Sequence, residues 1–504
     1  MKHEPGPGSP TPPIELAGDP ASAGGRLTAS IVLLDDGFLQ RLAQACPDLR
    51  LDPGERADAS RDWWPLAMVW ATDGQVGQVA GAIARPTTVE EVAAVARLCH
   101  ESRVPLTPAA GRSSVVGGTV PVHGGVLLDL TGLSGIGSVD ATSKVVEVWA
   151  GTFGDAFEAA LDADHDLTVG HWPQSMALST VGGWLACRGA GQLSNRYGKI
   201  EDIVVGLEVV LPDGRIVHTG GQPRQAVGPD LTQLFVGAEG TLGIITRAWL
   251  QAWPAPTHTG RAAYGFTSFS AGLDAMRRSI QRGAPTAVLR LYDEIESQRL
   301  GVDQGVNVLI AFDEGDPGIV DAGLAVVHEE CRDADRLDDA LVDTWFGHRN
   351  DVSALEALIS KGYVVDTMEI SGPWSRLDEI YTTTVAAITA VPGTMVASAH
   401  QSHSYPGGAC LYFTFAAKPE DPADRDTYYA AAWDAGTRAV LAAGGSLSHH
   451  HGVGLNRARF VDEALGDGVE VLHAIKAALD PHGICNPGKL GLPDPFGGPG
   501  WPAR

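Results

Sequence analysis

Histidine, tyrosine and arginine residues in the second half of the chain have the types and the sequence setting of an enzyme site. Three consecutive histidines, His449, His450 and His451, lie between Ser-Leu-Ser and Gly-Val-Gly. Tyr412 follows Gly-Ala-Cys-Leu in a segment with strand character, and Arg290 lies within Val-Leu-Arg-Leu-Tyr. Imidazole and phenol groups transfer protons, and a guanidinium binds a carboxylate through paired N–H groups. We therefore treat these residues as candidate catalytic groups.

Each candidate also has a purely structural interpretation. A run of histidines is often an exposed turn or an adventitious metal ligand, an aromatic residue in a strand normally belongs to the core, and a strand arginine often lies on the surface. Alternate residues of a strand face opposite sides, so three adjacent histidines cannot converge on one point there. We expect one or two of them to face the site while another packs or bonds to backbone.

Four segments rich in glycine, serine and threonine occur at residues 108–118, 173–191, 197–205 and 237–245. Glycine lets backbone N–H groups approach a diphosphate closely, and Ser and Thr hydroxyls add donors. One such segment alone is usually a tight turn between strands. Four of them, without a G-x-x-x-x-G-K-[ST] sequence and without a G-x-G-x-x-G sequence after a strand, predict a dinucleotide held by several loops. NAD is therefore not the first choice of cofactor.

Short strands alternating with helices are predicted around these segments. Thr87-x-x-Glu90 has the pattern of a capping box and opens a helix with an apolar face. Strands are predicted at residues 104–108, 125–130 and 144–150, and residues 203–218 predict a hairpin that turns at Pro-Asp-Gly. From about residue 254 the elements become longer, which indicates a separate α+β domain. The predicted domains are a disordered tail 1–26, a helical lead-in 27–78, a cofactor-binding domain 79–253, a substrate domain 254–443, a closing segment 444–492 and a tail 493–504.

The composition excludes several classes of function. A net charge of −25 argues against a nucleic-acid surface, which needs clustered Lys and Arg. The six cysteines are dispersed, with no C-x-x-C pair, so neither a zinc ribbon nor a redox dithiol is indicated and no metal site is predicted. No apolar run approaches the roughly 20 residues that span a bilayer, and the N-terminus lacks a secretory signal. We expect a cytoplasmic protein with a small-molecule substrate.

The motifs resemble those of FAD-linked oxidases of the type 4 family, which have the vanillyl-alcohol-oxidase (PCMH-type) FAD-binding fold. The most specific similarity is to the alkylglycerone-phosphate synthase (alkyl-dihydroxyacetonephosphate synthase) family. It extends from about residue 79 to residue 490. The segments that carry it are residues 108–114, 179–191, 196–202, 239–245, 408–413 and 446–454. The resemblance implies an α+β protein with a two-lobed FAD-binding domain, an α+β substrate (cap) domain, and a C-terminal segment that returns to the flavin site.

This resemblance also implies which residues contact FAD. Relatives that bind flavin covalently use a histidine in the first loop or a cysteine elsewhere, and no histidine occurs between Pro108 and Gly118, which favours non-covalent FAD. The implied FAD contacts are Pro108, Ala109, Ala110, Gly111, Arg112, Ser113, Ser114, Gln174, Ser175, Met176, Ala177, Leu178, Ser179, Thr180, Cys187, Arg188, Gly189, Ala190, Glu239, Gly240, Thr241, Leu242, Gly243, Ile244 and Ile245.

The sequence departs from the synthase pattern in two places. The synthase arginine that is taken to hold the substrate phosphate corresponds to Leu355, and the nearest cations are His348 and Arg349. Losing such an arginine removes a charge-assisted contact of about 1.5–3 kcal/mol. Ala110 and Arg112 stand where the synthase has glycines, a variant common in 2-hydroxyacid-type flavin oxidoreductases.

Two reactions follow from this pattern. In the first, a flavin oxidoreductase takes hydride from the α-carbon of a 2-hydroxy acid or related alcohol; Tyr412 or the histidine run is the base, and Arg290 orients a carboxylate. In the second, a transferase replaces the acyl group of acyl-dihydroxyacetone phosphate by a fatty alcohol through a flavin N5 adduct, as in ether-lipid synthesis. A third class, a non-catalytic FAD-binding scaffold, fits the candidate residues poorly. A homodimer is compatible with the sequence, and peripheral membrane contact is expected only for a lipid substrate.

Overall fold

The computed structural model describes residues 12–284 and 286–502, which form three larger β-sheets with helices packed around them. The first sheet contains parallel strands Ala82–Ala84, Val126–Asp129 and Leu106–Ala109, with the short strand Leu49–Arg50 antiparallel at its edge. Helix Val89–Ser102 packs on it through the predicted apolar face. The N-cap of this helix is Thr88, one residue later than Thr87 of the predicted capping box, because the Thr88 hydroxyl accepts the Glu91 N–H at 3.2 Å.

The second sheet is antiparallel and lies next in the chain. Its strands, in spatial order, are Ile216–Gly220, Val204–Val210, Ile244–Gln251, Val145–Trp149 and Ile136–Asp140. The predicted hairpin is present, with Gly214 at a φ of 83° in its turn. The apolar sides of helices Gly154–His165 and Val181–Cys187 complete the core of this lobe. Other helices of the N-terminal half are Asp36–Ala45, Pro53–Ala59, Pro65–Ala71, Ser194–Tyr197, Ile200–Ile203 and Leu231–Phe235.

The third sheet has seven strands and belongs to the predicted substrate domain. Its spatial order is Asp335–Leu337, His258–Phe266, Asn307–Gly315, Val288–Tyr292, Thr394–Tyr405, Gly408–Ala417 and Val364–Pro373. All its pairings are antiparallel. The helices of this region are Phe269–Gln281, Glu294–Gln298, Pro317–Glu330, Ala340–His348, Ser353–Ile359, Leu377–Thr389 and Arg425–Ala442.

The C-terminal segment returns to the first two sheets, as the resemblance implies. It contains helices Val461–Leu465 and Gly468–Leu479. The Glu239 carboxylate accepts the N–H groups of Val453 at 2.5 Å and Gly454 at 2.7 Å. The Asn486 side-chain amide donates to the Glu239 carbonyl at 2.7 Å. Buried Lys476 donates to the Thr241 carbonyl at 2.8 Å. These contacts fix the two separated stretches of chain against each other.

The ends of the chain differ from the prediction. Residues 1–11, 503 and 504 lie outside the described residues, but residues 12–26 and 493–502 pack on the body of the protein. Ile14 and Leu16 are buried, and Gly24–Gly25 pairs with Gln75–Val76. Trp501 packs edge-on against Trp64 at 5.4 Å between ring centroids. The Pro/Gly-rich composition predicted disordered tails because each segment contains only a few large apolar residues. Burial of those side chains stabilises the packing of each segment on the protein.

The arrangement of mixed sheets with surrounding helices is the α+β class that the sequence predicted. Between Pro12 and Pro502, with Pro285 left aside, no helix is both long and apolar enough to cross a membrane.

Candidate flavin and substrate site

A cavity of about 800 Å³ lies between the loops of the first two sheets and the face of the seven-stranded sheet. Most of the residues predicted to contact a cofactor lie on its wall, as do Arg290, Tyr412, His450 and His451. The predicted cofactor residues that line it are Pro108, Ala109, Ala110, Gly111, Arg112, Ser113, Ser114, Gln174, Ser175, Leu178, Ser179, Thr180, Cys187, Gly189, Ala190, Glu239, Gly240, Gly243, Ile244 and Ile245.

The loop after strand Leu106–Ala109 has the features of a phosphate cradle. Within the described chain, the backbone N–H groups of residues 112–115 make no hydrogen bond to the protein. The Ser114 hydroxyl accepts the N–H groups of residues 116 and 118, at 3.3 and 3.1 Å, and so fixes the curve of the loop. Gly111 approaches the neighbouring loop so closely that a Cβ would lie 2.2 Å from the Leu178 carbonyl oxygen. Free N–H groups in a concave loop bind anionic oxygens.

Five of the predicted cofactor residues do not line the cavity. Met176 and Leu242 are buried in the core of the second sheet, because apolar side chains in these loops turn inward to cover it. The Thr241 hydroxyl bonds to the Ala238 carbonyl within its own turn. Arg188 ends a helix in the left-handed conformation, and its guanidinium reaches Gln233. Ala177 lies in a turn, away from the wall.

The opposite wall carries Arg290, His400 and Tyr412 on adjacent strands. The strand register pairs His400 with Tyr412, and their rings stack with centroids 4.8 Å apart. The Arg290 Nη2 lies 3.1 Å from the His400 Nε2. The Tyr412 hydroxyl accepts a hydrogen bond from the Thr367 hydroxyl at 3.0 Å, and burial raises the pKa of the phenol. His400 was not among the candidate catalytic residues. The sequence His-Gln-Ser-His at residues 400–403, shortly before the segment 408–413 that carries Tyr412, could have indicated it.

The three histidines lie in a loop rather than in a strand, and one buried carboxylate organises that loop. The Glu369 Oε1 accepts the backbone N–H groups of His449, His450 and His451 at 3.2, 3.0 and 2.8 Å. Its other oxygen pairs with Arg457, and both side chains are fully buried. Burial opposes ionisation of Glu369, but Arg457 and His451 hold its pKa well below the usual value.

The three histidine rings lie next to one another, but only two of them reach the cavity wall. His450 and His451 face the cavity, whereas His449 does not line it. The His449 Nε2 lies 2.7 Å from the Tyr405 hydroxyl, and its Nδ1 lies 2.8 Å from the His450 Nδ1. Burial lowers the pKa of His449 to about 3 and holds the pKa of His450 well below its usual value, so both rings are neutral at pH 7.

Two residues of this loop and two residues of the neighbouring strands form a group of possible metal ligands. His403, Cys410, His449 and His450 place ligand atoms within 4.8 Å of one another, and this is a nitrogen and sulfur set that could hold a soft divalent cation. This group was not predicted, because only His449 and His450 of its four members are adjacent in the sequence. His403 and Cys410 face each other across two strands, a relation that only the register reveals.

Arg349 also lines the cavity and was not among the candidate site residues. Its guanidinium stacks on Phe346, 3.5 Å from the ring centroid. Its Nε is buried without a hydrogen-bond partner. No carboxylate of a described residue forms a direct ion pair with it, although the charge of the nearby Glu314 opposes the lowering of its pKa by burial. Burial lowers the pKa of Arg349 to about 10, which still leaves the group charged at pH 7. The segment that carries it is tied across the cavity by Asn350, which donates to the Gln174 carbonyl at 2.9 Å.

Comparison with known proteins places this site in a family. Residues 80–220 match the FAD binding domain model, and residues 255–490 match the model of the C-terminal domain of FAD linked oxidases. The FAD-linked oxidoreductase YgcU of Escherichia coli O157:H7 is 31% identical over 434 residues, covering 82% of this chain and 89% of the relative. The chain belongs to the FAD-linked oxidoreductase family. It is an enzyme, and its cofactor is FAD.

Two further proteins that this chain is similar to differ in their named reactions. A probable mitochondrial D-lactate dehydrogenase of Danio rerio is 28% identical over 423 residues, which cover 80% of this chain and 83% of the relative. A solved alkyldihydroxyacetonephosphate synthase structure superposes with a TM-score of 0.76 at 25% identity, covering 92% of this chain and 87% of that one. The fold therefore agrees with the resemblance found in the sequence.

The residues present fit FAD. The free N–H groups of residues 112–115 suit its diphosphate, and the cavity is large enough for part of a dinucleotide with a substrate beside it. Cys187 is the cysteine on the wall among the described residues. Burial raises its pKa to about 12, so the group is a thiol and a weak nucleophile at neutral pH.

Proposed function

We propose that this FAD-linked oxidoreductase oxidises a 2-hydroxy acid, or a related alcohol that carries an anionic group, to the corresponding oxo compound. When bound, FAD supplies the acceptor for the hydride that leaves the α-carbon. The protein's own residues bind the anionic group, orient the α-carbon and take up the hydroxyl proton. We also propose that the FAD is held non-covalently, because the first loop has no histidine and Cys187 is protonated.

The observation that supports this proposal most strongly is the pair of arginines on the cavity wall. Neither Arg290 nor Arg349 forms a direct ion pair with a carboxylate of a described residue, although both are half-buried on the cavity wall. A guanidinium removed from water without a counter-ion is costly, so such groups are retained where a ligand supplies the charge. A carboxylate fits the planar paired donors of arginine.

Leu355 also favours an acid over the phosphate ester of the synthase reaction. It lies on the cavity wall at the position that corresponds to the phosphate-holding arginine, and there it presents an apolar surface. Arg349, six residues earlier, supplies a cation from a different position.

The alternative is a transferase similar to alkylglycerone-phosphate synthase. Its specific support is an apolar patch on the wall, formed by Val352, Leu355, Leu358 and Val365, which would accept an alkyl chain. In that case acyl-dihydroxyacetone phosphate should release fatty acid only when a fatty alcohol is present. We expect contact with a membrane surface only if this alternative is right, because only its substrates are lipids.

Anaerobic addition of substrates to the flavin-loaded protein distinguishes the two reactions. We expect 2-hydroxy acids to bleach the long-wavelength flavin absorbance, with one oxo acid formed per flavin reduced. The same preparation should release its flavin on acid precipitation. Exchange of acyl-dihydroxyacetone phosphate with fatty alcohol, without bleaching by any hydroxy acid, would support the transferase instead.

A further inference from the structure

His400 and Glu296 form a buried pair at the edge of the cavity. The His400 Nδ1 lies 2.7 Å from the Glu296 Oε2. The other oxygen of Glu296 accepts hydrogen bonds from the hydroxyls of Ser398 at 3.1 Å and Thr414 at 3.0 Å. The carboxylate is therefore held from three directions, and it fixes the orientation of the imidazole ring.

The contacts of His400 determine which of its nitrogens carries the proton. Arginine only donates hydrogen bonds, so the His400 Nε2, 3.1 Å from the Arg290 Nη2, must act as an acceptor. The proton of the neutral ring therefore lies on Nδ1, which donates it to the Glu296 carboxylate. The lone pair on Nε2 points toward Arg290 on the cavity wall, where a substrate carboxylate is expected.

The groups around His400 keep its ring neutral but support it when it is charged. Burial lowers the pKa of His400, Arg290 and Arg299 lower it further, and Glu296 opposes them. Tyr412 and Tyr292 face its ring, with centroids at 4.8 and 5.4 Å. Burial works against ionisation of Glu296, yet the hydrogen bonds from His400 and Thr414 and the charge of Arg299 lower its pKa. An ionised carboxylate beside an imidazole stabilises the imidazolium that forms when the ring takes up a proton.

We propose that His400 is the base of the reaction and that Glu296 is its positioning residue. This inference rests on the proposed oxidation of a hydroxy acid. Binding of the substrate carboxylate to Arg290 draws the guanidinium away from Nε2 and brings the hydroxyl to it. The O–H bond then breaks with its proton going to Nε2 and the C=O bond forms. FAD, when bound, would accept the α-hydrogen together with the electron pair of the Cα–H bond.

Other candidates on the same wall fit this role less well. The Tyr412 hydroxyl is engaged by Thr367, and its ring covers the face of His400. His451 has its Nδ1 3.0 Å from Glu369, the carboxylate that also anchors the backbone of its loop. Tyr412 is thus assigned to positioning. Of these three groups, His400 combines a carboxylate on one nitrogen with an unprotonated second nitrogen whose one partner, Arg290, is a group that a substrate carboxylate would engage.

The test is the pH dependence of flavin reduction in variants of the flavin-loaded protein. With a hydroxy acid that bleaches the wild type, His400→Asn should slow reduction by about 100-fold or more. It should also remove the acid limb, the loss of rate at low pH that reflects protonation of the base. Glu296→Gln should slow reduction and shift that limb to lower pH, because the imidazolium loses its carboxylate partner. Added imidazole should restore part of the rate in His400→Gly.

Matched controls make the outcomes distinct. Tyr412→Phe should keep the acid limb, and His258→Asn, at an exposed histidine paired with Asp321, should behave as the wild type. Flavin content reports folding, and Glu296→Gln carries the test if His400→Asn does not fold. Unchanged rate and acid limb in His400→Asn would overturn the role of His400 alone. Failure of every hydroxy acid to bleach the wild type would overturn the proposed function together with it.

Discussion

At the scale of single residues, the proposed function depends on Arg349 and Arg290, which we propose bind the anionic group of the substrate. Arg349 is positioned before any ligand arrives, because its guanidinium lies on Phe346 and donates to the Phe346 carbonyl at 2.8 Å. The sequence indicated only that a cation stood near Leu355. Neither the stacking of Arg349 nor its lack of a direct ion pair with a described carboxylate could be predicted, since both depend on residues brought together by the fold.

Replacement of Arg349 tests this role. Arg349→Gln should weaken binding of an acid substrate by about 10- to 100-fold, the value of one charge-assisted hydrogen-bonded contact. The limiting rate of flavin reduction should change less, because Arg290 and His400 remain in place. The concentration dependence of anaerobic flavin reduction measures both quantities. Arg376→Gln, at an exposed arginine, is the control, and equal affinity in the two variants would contradict the role of Arg349.

At the scale of elements, regular structure was far easier to predict than the loops. The predicted strands at 104–108, 125–130, 144–150 and 203–211 agree with the structure to within two residues, because alternating apolar residues and turn signals are local. The histidine loop was treated as a strand because it has no such signal. Its anchor, Glu369, lies 80 residues before His449, and nothing local in the sequence connects them.

The anchoring of the histidine loop by Glu369 leads to a stability prediction. Glu369→Gln leaves Arg457 as a fully buried charge without its ion partner, which should lower the free energy of unfolding by about 3–5 kcal/mol. Chemical denaturation of the flavin-loaded protein measures this change. Glu463→Gln breaks the exposed pair with Arg438 and should cost at most about 1 kcal/mol. Similar losses in the two variants would show that Glu369 does not anchor the loop.

At the scale of the whole molecule, the C-terminal segment, which follows the substrate domain in the chain, packs back against the first two sheets, where the FAD loops lie. The connection is made by hydrogen bonds between the side chains of Glu239, Lys476 and Asn486 and backbone groups. The pattern of Gly, Ser and Thr predicted the loops, but it gave no indication of these polar residues that join them. The resemblance to a family did predict that the C-terminal segment returns, and the structure confirms it.

The connection through Glu239 should make stability depend on pH. Burial raises the pKa of Glu239 to about 7, above about 4.3 for an unfolded glutamate. The folded protein therefore binds this proton more tightly, so the stability contributed by Glu239 is present below pH of about 4 and is lost as the pH rises to about 7. Denaturation at several pH values should show a weaker decline in Glu239→Gln. Glu420→Gln, at an exposed position, is the control, and an identical decline in all three proteins would contradict the assignment.

The most direct test of the central claim is anaerobic titration of the flavin-loaded protein with 2-hydroxy acids. A dicarboxylic acid, a short monocarboxylic acid and acyl-dihydroxyacetone phosphate with fatty alcohol form the panel. We predict that at least one hydroxy acid bleaches the flavin and yields its oxo acid in equal amount. A flavin that stays oxidised with every acid, while acyl and alkyl groups exchange, would contradict the oxidation that we propose.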